Sequence, residues 1–485
     1  MNKKIKVISI ILSTVMVVSS FSGCSSIGLN DTELLRPPRA TGEKAEIQNV
    51  IDNTVGTDYT LQYPKKGDYH SAIITEDLNG DGNEEAMVIY RTNAETTTTN
   101  LLFLNEAGGQ WKAVRSFTNK NFDIDKVFIT DIDGDGVKEI IVGWSSFIGE
   151  TSQVTYYKYS LDDMEQNVID TTYSDMATGD LTGSGTDDLI LLSPTTEQNK
   201  TAIVRLYSFV NENGTSQLKM VGSTYTNPNV IKYTNVEIGK IDNNNLALFL
   251  DGTTANEQLL SEVIYFDKAS GALIDPLNVK NHQDITTNST SRQTVAVCRD
   301  IDHDNIMEIP QEMVMEGSVP ENSTETLCNL NRWFKMDVTT SQLMPVAYTV
   351  ASYADGYYFL LPKSWENNVT ATSDTATRTM KFYQLDRSQQ ITEPPTVPAT
   401  EDSTTETSPA PETVTSQPAT TGDLIMTIQV FTEKDWAAVS QNKSSEGYYL
   451  ATKMYGYVYT LKLADNIPAE YAISNNDVAN LIKII

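Results

Sequence analysis

Three stretches of this 485-residue chain carry almost the same acidic nonapeptide: Asp77-Leu-Asn-Gly-Asp-Gly-Asn-Glu-Glu85, Asp131-Ile-Asp-Gly-Asp-Gly-Val-Lys-Glu139 and Asp300-Ile-Asp-His-Asp-Asn-Ile-Met-Glu308. Each places oxygen-bearing side chains at positions 1, 3, 5 and 9. Alternate oxygens on a tight turn suit a hard divalent cation, calcium above all. The expected ligands in the first loop are Asp77, Asn79, Asp81 and Glu85 with the Asn83 carbonyl. In the second they are Asp131, Asp133, Asp135 and Glu139 with the Val137 carbonyl. In the last they are Asp300, Asp302, Asp304 and Glu308 with the Ile306 carbonyl. Gly82 and Gly136 sit where such a turn needs a left-handed backbone, and Asn305, the next most tolerant residue type, takes that place in the last loop. Without an ion these carboxylates would repel one another. The predicted role of the metal is structural, at three sites.

Two weaker relatives lie between them. Asp180, Thr182, Ser184 and Asp188 keep the frame of a loop but supply only two acids, so weak metal binding or none is expected. The segment Lys240-Ile-Asp-Asn-Asn-Asn-Leu-Ala-Leu248 puts a lysine at the first ligand position, where an ammonium paired with Asp242 would replace the metal. The five first positions, 77, 131, 180, 240 and 300, are 54, 49, 60 and 60 residues apart. That interval accommodates about four strands.

Strand-like segments flank each loop. Ser71–Thr75 and Lys126–Thr130 precede loops; Ala86–Tyr90, Ile140–Trp144 and Leu189–Leu192 follow them. A further strand comes next, as in Thr99–Leu104, Ser152–Tyr157, Ala202–Tyr207 and Leu260–Phe266. All are short, rich in β-branched and aromatic residues, and bounded by Gly, Asn or Asp. Units of this size cannot bury both faces alone and must stack.

On these motifs the region from about 66 to 350 resembles FG-GAP, or VCBS, repeats, the calcium-loop blades also found in integrin α-subunit propellers. The resemblance implies a mainly β chain. Its core would be a β-propeller of about five blades over residues 46–354, with six or seven as alternatives. A sixth blade could come from Glu46–Pro64 or from the end of the repeats.

A small α+β domain is expected over 355–485. Gly356–Trp365 resembles a strand and turn found in terminal domains of Gram-positive lipoproteins. Residues 392–421, almost wholly Thr, Pro, Ser, Ala and Glu, are predicted to be extended and disordered. They are read as a long loop between two strands of that domain, because lengthening a loop costs little extra entropy. An interdomain linker is the alternative. Thr432-Glu-Lys-Asp-Trp436 marks a helix start, and residues 475–485 read as a terminal helix.

The N-terminus reads as a signal segment over 1–23. A basic Met1–Lys6 is followed by an apolar run, Val7–Val18, too short to span a bilayer. Phe21-Ser-Gly-Cys24 resembles a bacterial lipobox with Phe in place of the usual Leu, which makes Cys24 the expected lipidated first residue. An ordinary secretory signal is the alternative. Residues 24–45 read as a flexible tether. The expected site is the outer face of the cytoplasmic membrane, reached through the lipid on Cys24.

The formal net charge is -29, and removing residues 1–23, with three lysines and no acid, takes it to -32. Such a surface repels nucleic acid, which is excluded as a partner. Cys298 and Cys328 could pair or remain buried thiols. The histidines His70, His282 and His303 form no zinc spacing, and neither a nucleophile elbow nor a phosphate loop occurs. The sequence points to a non-enzymatic binding module for a glycan, a peptide or an envelope protein. A polysaccharide-active hydrolase or lyase on a propeller scaffold is the alternative. Tyr357, Trp365 and Trp436 are candidate surface aromatics, with burial in a core as the competing expectation.

Overall fold

The computed structural model describes residues 43–147, 152–160, 163–195, 200–212, 215–280, 286–293, 295–318, 325–387 and 419–485. The expected signal segment, Cys24, nearly all of the tether, and residues 392–418 of the Thr/Pro stretch lie outside them.

Four antiparallel sheets follow one another along the chain. The first contains Tyr59–Leu61, Ile73–Glu76, Glu85–Thr92, Thr98–Glu106 and Trp111–Lys120. The second contains Phe122–Thr130, Glu139–Ser146, Ser152–Ser160 and Asp163–Ile169. The third runs from Asp175–Gly179 through Asp188–Pro194 and Ala202–Glu212 to Thr215–Tyr225. The fourth runs from Val230–Lys240 through Leu246–Thr254 and Leu259–Asp267 to Ala272–Ile274.

The strand after each of the first four loops is buried on both faces because a packed layer lies on either side of it. Residues 85–90, 139–144 and 188–193 are buried without interruption. Ile132, Ile141, Val154, Tyr173, Met176, Leu189 and Leu191 form one cluster between the second and third sheets. Across the next gap, Ile190, Leu192, Val204 and Leu206 pack against Leu248, Leu250 and Ile264. Close approach demands small residues: a Cβ on Gly143 would stand 2.5 Å from the Tyr173 hydroxyl, and one on Gly239 would stand 2.4 Å from Met307 Cγ. The first strands of the second, third and fourth sheets border a common recess of about 400 Å3, lined by Lys126, Phe128, Met176, Thr178, Asn235 and Glu237 among others. Face-to-face meander sheets with their first strands around a shared recess make this a β-propeller arrangement.

The segment 46–64, one of two sources considered for a sixth blade, forms a helix and an edge strand instead. Glu43–Val55 is a helix, α1, and Tyr59–Leu61 joins the edge of the first sheet beside Ile73–Glu76. Ile47 and Ile51 of α1 pack on Ala86, Val88, Tyr90, Leu102 and Leu104. That is the face of the first sheet turned away from the second, where a ring would set its closing blade.

The boundary expected at residue 355 falls inside a sheet. The fifth sheet contains Ile309–Val314, Asn329–Asp337, Gln342–Ser352, Tyr357–Leu360 and Ile482–Ile484. Thr349 pairs with Leu360, so hydrogen bonding runs straight across the position. The sixth sheet takes Glu325–Leu327 from before the boundary and pairs it with Val369–Asp374; Thr379–Asp386, Thr420–Thr432, Tyr457–Leu463 and Tyr449–Met454 complete it. Fifth and sixth sheets share one core, in which Val350, Tyr357 and Phe359 meet Trp365, Phe382, Met426, Ile428 and Tyr459. Tyr357 and Trp365 are therefore core residues. Trp436 is half-buried against Phe431 at 5.4 Å.

Residues 386 and 420 are direct partners in an antiparallel pair, so the Thr/Pro stretch is an insertion between two strands of one sheet. Thr420 and Thr421, expected within the loop, already belong to the strand. Thr432 caps α2, Glu433–Ser445, by accepting from the Asp435 N–H. The terminal helix is shorter than expected: α3 covers Asn475–Leu481, and Ile482–Ile484 then extends along Tyr357–Phe359. A free sheet edge and two β-branched isoleucines favour pairing over another helical turn. Cys298 and Cys328 are both buried and are not joined in a disulfide. Among the described residues, no helix is long and apolar enough to cross a membrane.

A carboxyl pair sits at the fourth sheet, with Glu262 fully buried and Asp275, just past its last strand, half-buried. Glu262 accepts from the Asn227 N–H at 2.7 Å and from Tyr233 Oη, and Asn278 Nδ2 donates to both Glu262 and Asp275 at 2.5 Å. Burial raises the pKa of both acids, and the Glu262 charge raises Asp275 further. The unfolded chain releases these protons near pH 4. The folded chain retains at least one of them at higher pH, so the stabilisation is full below about pH 4 and declines as pH rises through the folded values. Asp275→Asn keeps the shape without the ionisable proton. Thermal melts should therefore show a flatter pH dependence than wild type above about pH 5; an unchanged slope would mean the pair does not share a proton.

Candidate metal centres in the acidic loops

Each full loop joins the end of a sheet's first strand, or of its remnant, to the start of the next. The strand pairs Glu76–Glu85 and Thr130–Glu139, and the isolated bridge Arg299–Glu308, close the three turns. The first aspartate ties each turn down. Asp77 accepts from the N–H groups of Gly80 (2.7 Å) and Gly82 (3.0 Å), and Asp131 does the same from Gly134 (2.7 Å) and Gly136 (3.0 Å). Asp300 accepts from Asp304 (3.1 Å) and Asn305 (2.9 Å). Gly82 and Gly136 both have φ of 88°, and Asn305 has 68°, as the turn requires. His303 also has a positive φ, 64°, because it stands where the other loops have Gly80 and Gly134.

Positions 3 and 5 hold the next N–H groups. Asn79 accepts from Asp81 and Asp81 from Asn83, both at 2.8 Å. Asp133 accepts from Asp135, Asp135 from Val137, Asp302 from Asp304, and Asp304 from Ile306. Asn83, Val137 and Ile306 thus enter these turns as N–H donors.

The ninth residue is buried in every case. One oxygen of Glu85, Glu139 and Glu308 accepts from the N–H of Leu78 (2.9 Å), Ile132 (3.0 Å) and Ile301 (2.8 Å). The other oxygen faces the loop's interior. Glu139 Oε1 and Glu308 Oε1 are buried without a hydrogen-bond partner. Burial pushes both glutamates up to about 7, against the N–H groups that lower them. Carboxylate oxygens of Asp131, Asp133 and Glu139 lie within 4.8 Å of one another, as do those of Asp300, Asp302, Asp304 and Glu308. A buried carboxylate oxygen that lacks a hydrogen bond, has only a lysine ammonium beside it and converges with other hard oxygens fits a divalent cation.

Two residues that the loop pattern did not include reach the same places. Lys158, on the third strand of the second sheet, pairs with Asp133, with Asp135 at 2.7 Å and with Glu139 Oε1 at 3.8 Å. Lys335, on Asn329–Asp337, pairs with Asp304, with Glu308 Oε1 at 3.3 Å and with Asp302 at 3.5 Å. Burial works against the Lys158 charge, but its hydrogen bonds to Asp133 and Asp135 outweigh it, and its pKa is raised. The sequence did hold a signal. Both lysines sit among apolar residues, Tyr157-Lys-Tyr159 and Phe334-Lys-Met336, in strands that alternate inward and outward.

The degraded loop keeps its turn without the full ligand set. Asp180 accepts from Ser184 (2.8 Å) and Gly185 (2.9 Å), and buried Asp188 accepts from Thr182 through both its N–H and its hydroxyl. The fourth loop departs from expectation. Lys240 is the last strand residue, paired with Leu246, so the turn spans only residues 241–245. Asp242 accepts from the N–H groups of Asn244 and Asn245 and from the Asn245 amide. The replacing ammonium predicted at Lys240 is therefore not at a ligand position, because the loop is three residues too short to place it there.

The turns also join neighbouring sheets. Lys138 N–H donates to Leu78 O at 2.7 Å, Met307 N–H to Lys240 O at 2.8 Å, and Thr130 Oγ1 to Asp187 at 2.6 Å.

The sequence profile of the FG-GAP-like repeat matches residues 57–142, which span the first two acidic loops. No curated protein matches the chain. Similar solved structures include a protein from Lactobacillus plantarum, 10% identical over 67% of this chain and 83% of that one, with a TM-score of 0.27. Another is an exo-β-1,3-galactanase from Phanerochaete chrysosporium with galactose, 9% identical over 68% and 78%, with a TM-score of 0.26.

Glu139→Ala tests the ninth position. It leaves the Ile132 N–H without its buried acceptor, which costs about 1–3 kcal/mol. Urea unfolding should show a lower midpoint, and an unchanged midpoint would mean water replaces the carboxylate.

Proposed function

We propose that this chain is a membrane-anchored extracytoplasmic lipoprotein whose calcium-stabilised propeller binds a glycan, a peptide or an envelope protein without turning it over. The observation that carries the non-catalytic reading is where the acidic side chains are committed. In the three full loops the aspartates hold their own turn's N–H groups, and the glutamates hold the start of a strand. Groups so engaged are poor candidates for general acid–base work on a substrate. Calcium would bind the oxygens of positions 1, 3, 5 and 9, which converge in the last loop and at positions 1, 3 and 9 in the second, and would fasten adjacent sheets together. The ligand would meet the recess at the first strands, where Lys126, Asn235 and Glu237 offer polar contacts beside Phe128. Such a mixture suits a neutral or weakly charged polar ligand.

Two experiments test this reading. Affinity capture from envelope extracts should recover a partner whose yield falls with chelator and with Asn235→Ala. Turnover of a polysaccharide panel that is lost in Glu237→Gln would instead establish the enzyme. For the anchor, Cys24→Ser should move the full-length protein from the membrane fraction to the medium. Retention on the membrane would rule out lipidation as the attachment.

A further inference from the structure

We propose that Lys158 and Lys335 are tethered counter-cations that occupy the metal position of the second and last loops until calcium displaces them. The inference rests on reading these loops as calcium sites, and it concerns which charge fills them when calcium is scarce.

Register is the first argument. Glu85 pairs with Asn105 on the neighbouring strand. Ile140 pairs with Tyr157 and Ile309 with Phe334, so one step along each ladder sets Glu139 opposite Lys158 and Glu308 opposite Lys335. In the third sheet the same step sets Asp188 opposite Ser208. One structural position thus carries Asn, Lys, Ser and Lys in the four sheets that have a nine-residue loop.

Charge is the second. The two loops facing lysine have four carboxylates at their ligand positions; the loop facing Asn105 has three, because Asn79 replaces an aspartate. With the lysine counted and every acid taken as ionised, all three full loops carry a formal charge of minus three at these positions. The lysine accompanies the extra acid.

Exclusion is the third. Lys158 Nζ lies 2.7 Å from Asp135 and also contacts Asp133, and Lys335 Nζ lies 3.3 Å from Glu308 Oε1. Calcium needs these oxygens at about 2.3–2.6 Å, so ammonium and calcium cannot share the space. The lysine side chains are 26% and 17% exposed, which leaves a path to solvent. Displacing them costs binding energy, so these loops should stay formed at low calcium and load at higher calcium than they would without lysine.

The test compares the wild-type protein with Lys158→Met/Lys335→Met, which keeps the stems and removes the charges, and with Asn105→Lys, which adds a charge at the first loop. Calorimetric titration with calcium should show two sites tightened by about tenfold or more in the double variant, or about 1.4 kcal/mol each. One site should weaken in Asn105→Lys. Melts in chelator should show the double variant less stable than wild type, with a larger calcium-induced rise. Equal calcium affinities in all three proteins would overturn the counter-cation role while leaving the calcium sites standing. Absence of calcium binding in all three would overturn the calcium reading and this inference together.

Discussion

A buried carboxylate at the start of a strand is the interaction on which this architecture turns. Glu85, Glu139, Asp188 and Glu308 each enter the space between sheets and accept an N–H from the preceding turn. Burying an acid is costly unless its oxygens are satisfied. The nine-residue turn satisfies one oxygen through its own backbone. The second must face a cation, a donor or nothing. The fourth sheet lacks the carboxylate, and its turn is three residues shorter. Carboxylate and long turn occur together because each needs the other.

The turns also explain how thin sheets become a stack. In the first four sheets the strand after the loop is buried on both faces, which no sheet achieves alone. Neighbouring sheets cover it, and backbone bonds such as Lys138 N–H to Leu78 O fix the separation at the loop end. At the start of the chain α1 covers the exposed face of the first sheet. At the other end the sixth sheet covers the fifth through the large aromatic cluster around Trp365 and Phe382. The region expected to be a separate α+β domain is thereby continuous with the stack. Structurally, the loops fasten adjacent sheets to one another through bonds such as Met307 N–H to Lys240 O.

The loops, their spacing and the strands beside them were legible in the sequence because they depend on local chemistry. Alternate oxygens, a left-handed glycine and a following apolar run are all read within nine to fifteen residues. The hairpin insertion at the Thr/Pro stretch was legible for a similar reason, since strand-like segments flank it on both sides. Helix α1 was missed because its apolar residues, Ile47 and Ile51, form a short stripe in a polar segment. Ile482–Ile484 was misjudged because its partner, Tyr357–Phe359, lies more than a hundred residues away.

By itself the sequence determined where the acidic turns lie, that strands flank them, and that those strands must stack to bury their faces. These follow from residue type and short-range spacing. Only the tertiary structure decided what stands opposite each acidic loop. Lys158 and Lys335 reach the carboxylates through the register of neighbouring strands, and the shortened turn takes Lys240 out of reach. Ladder register sets those charges against one another across the sheet, at separations no local motif records.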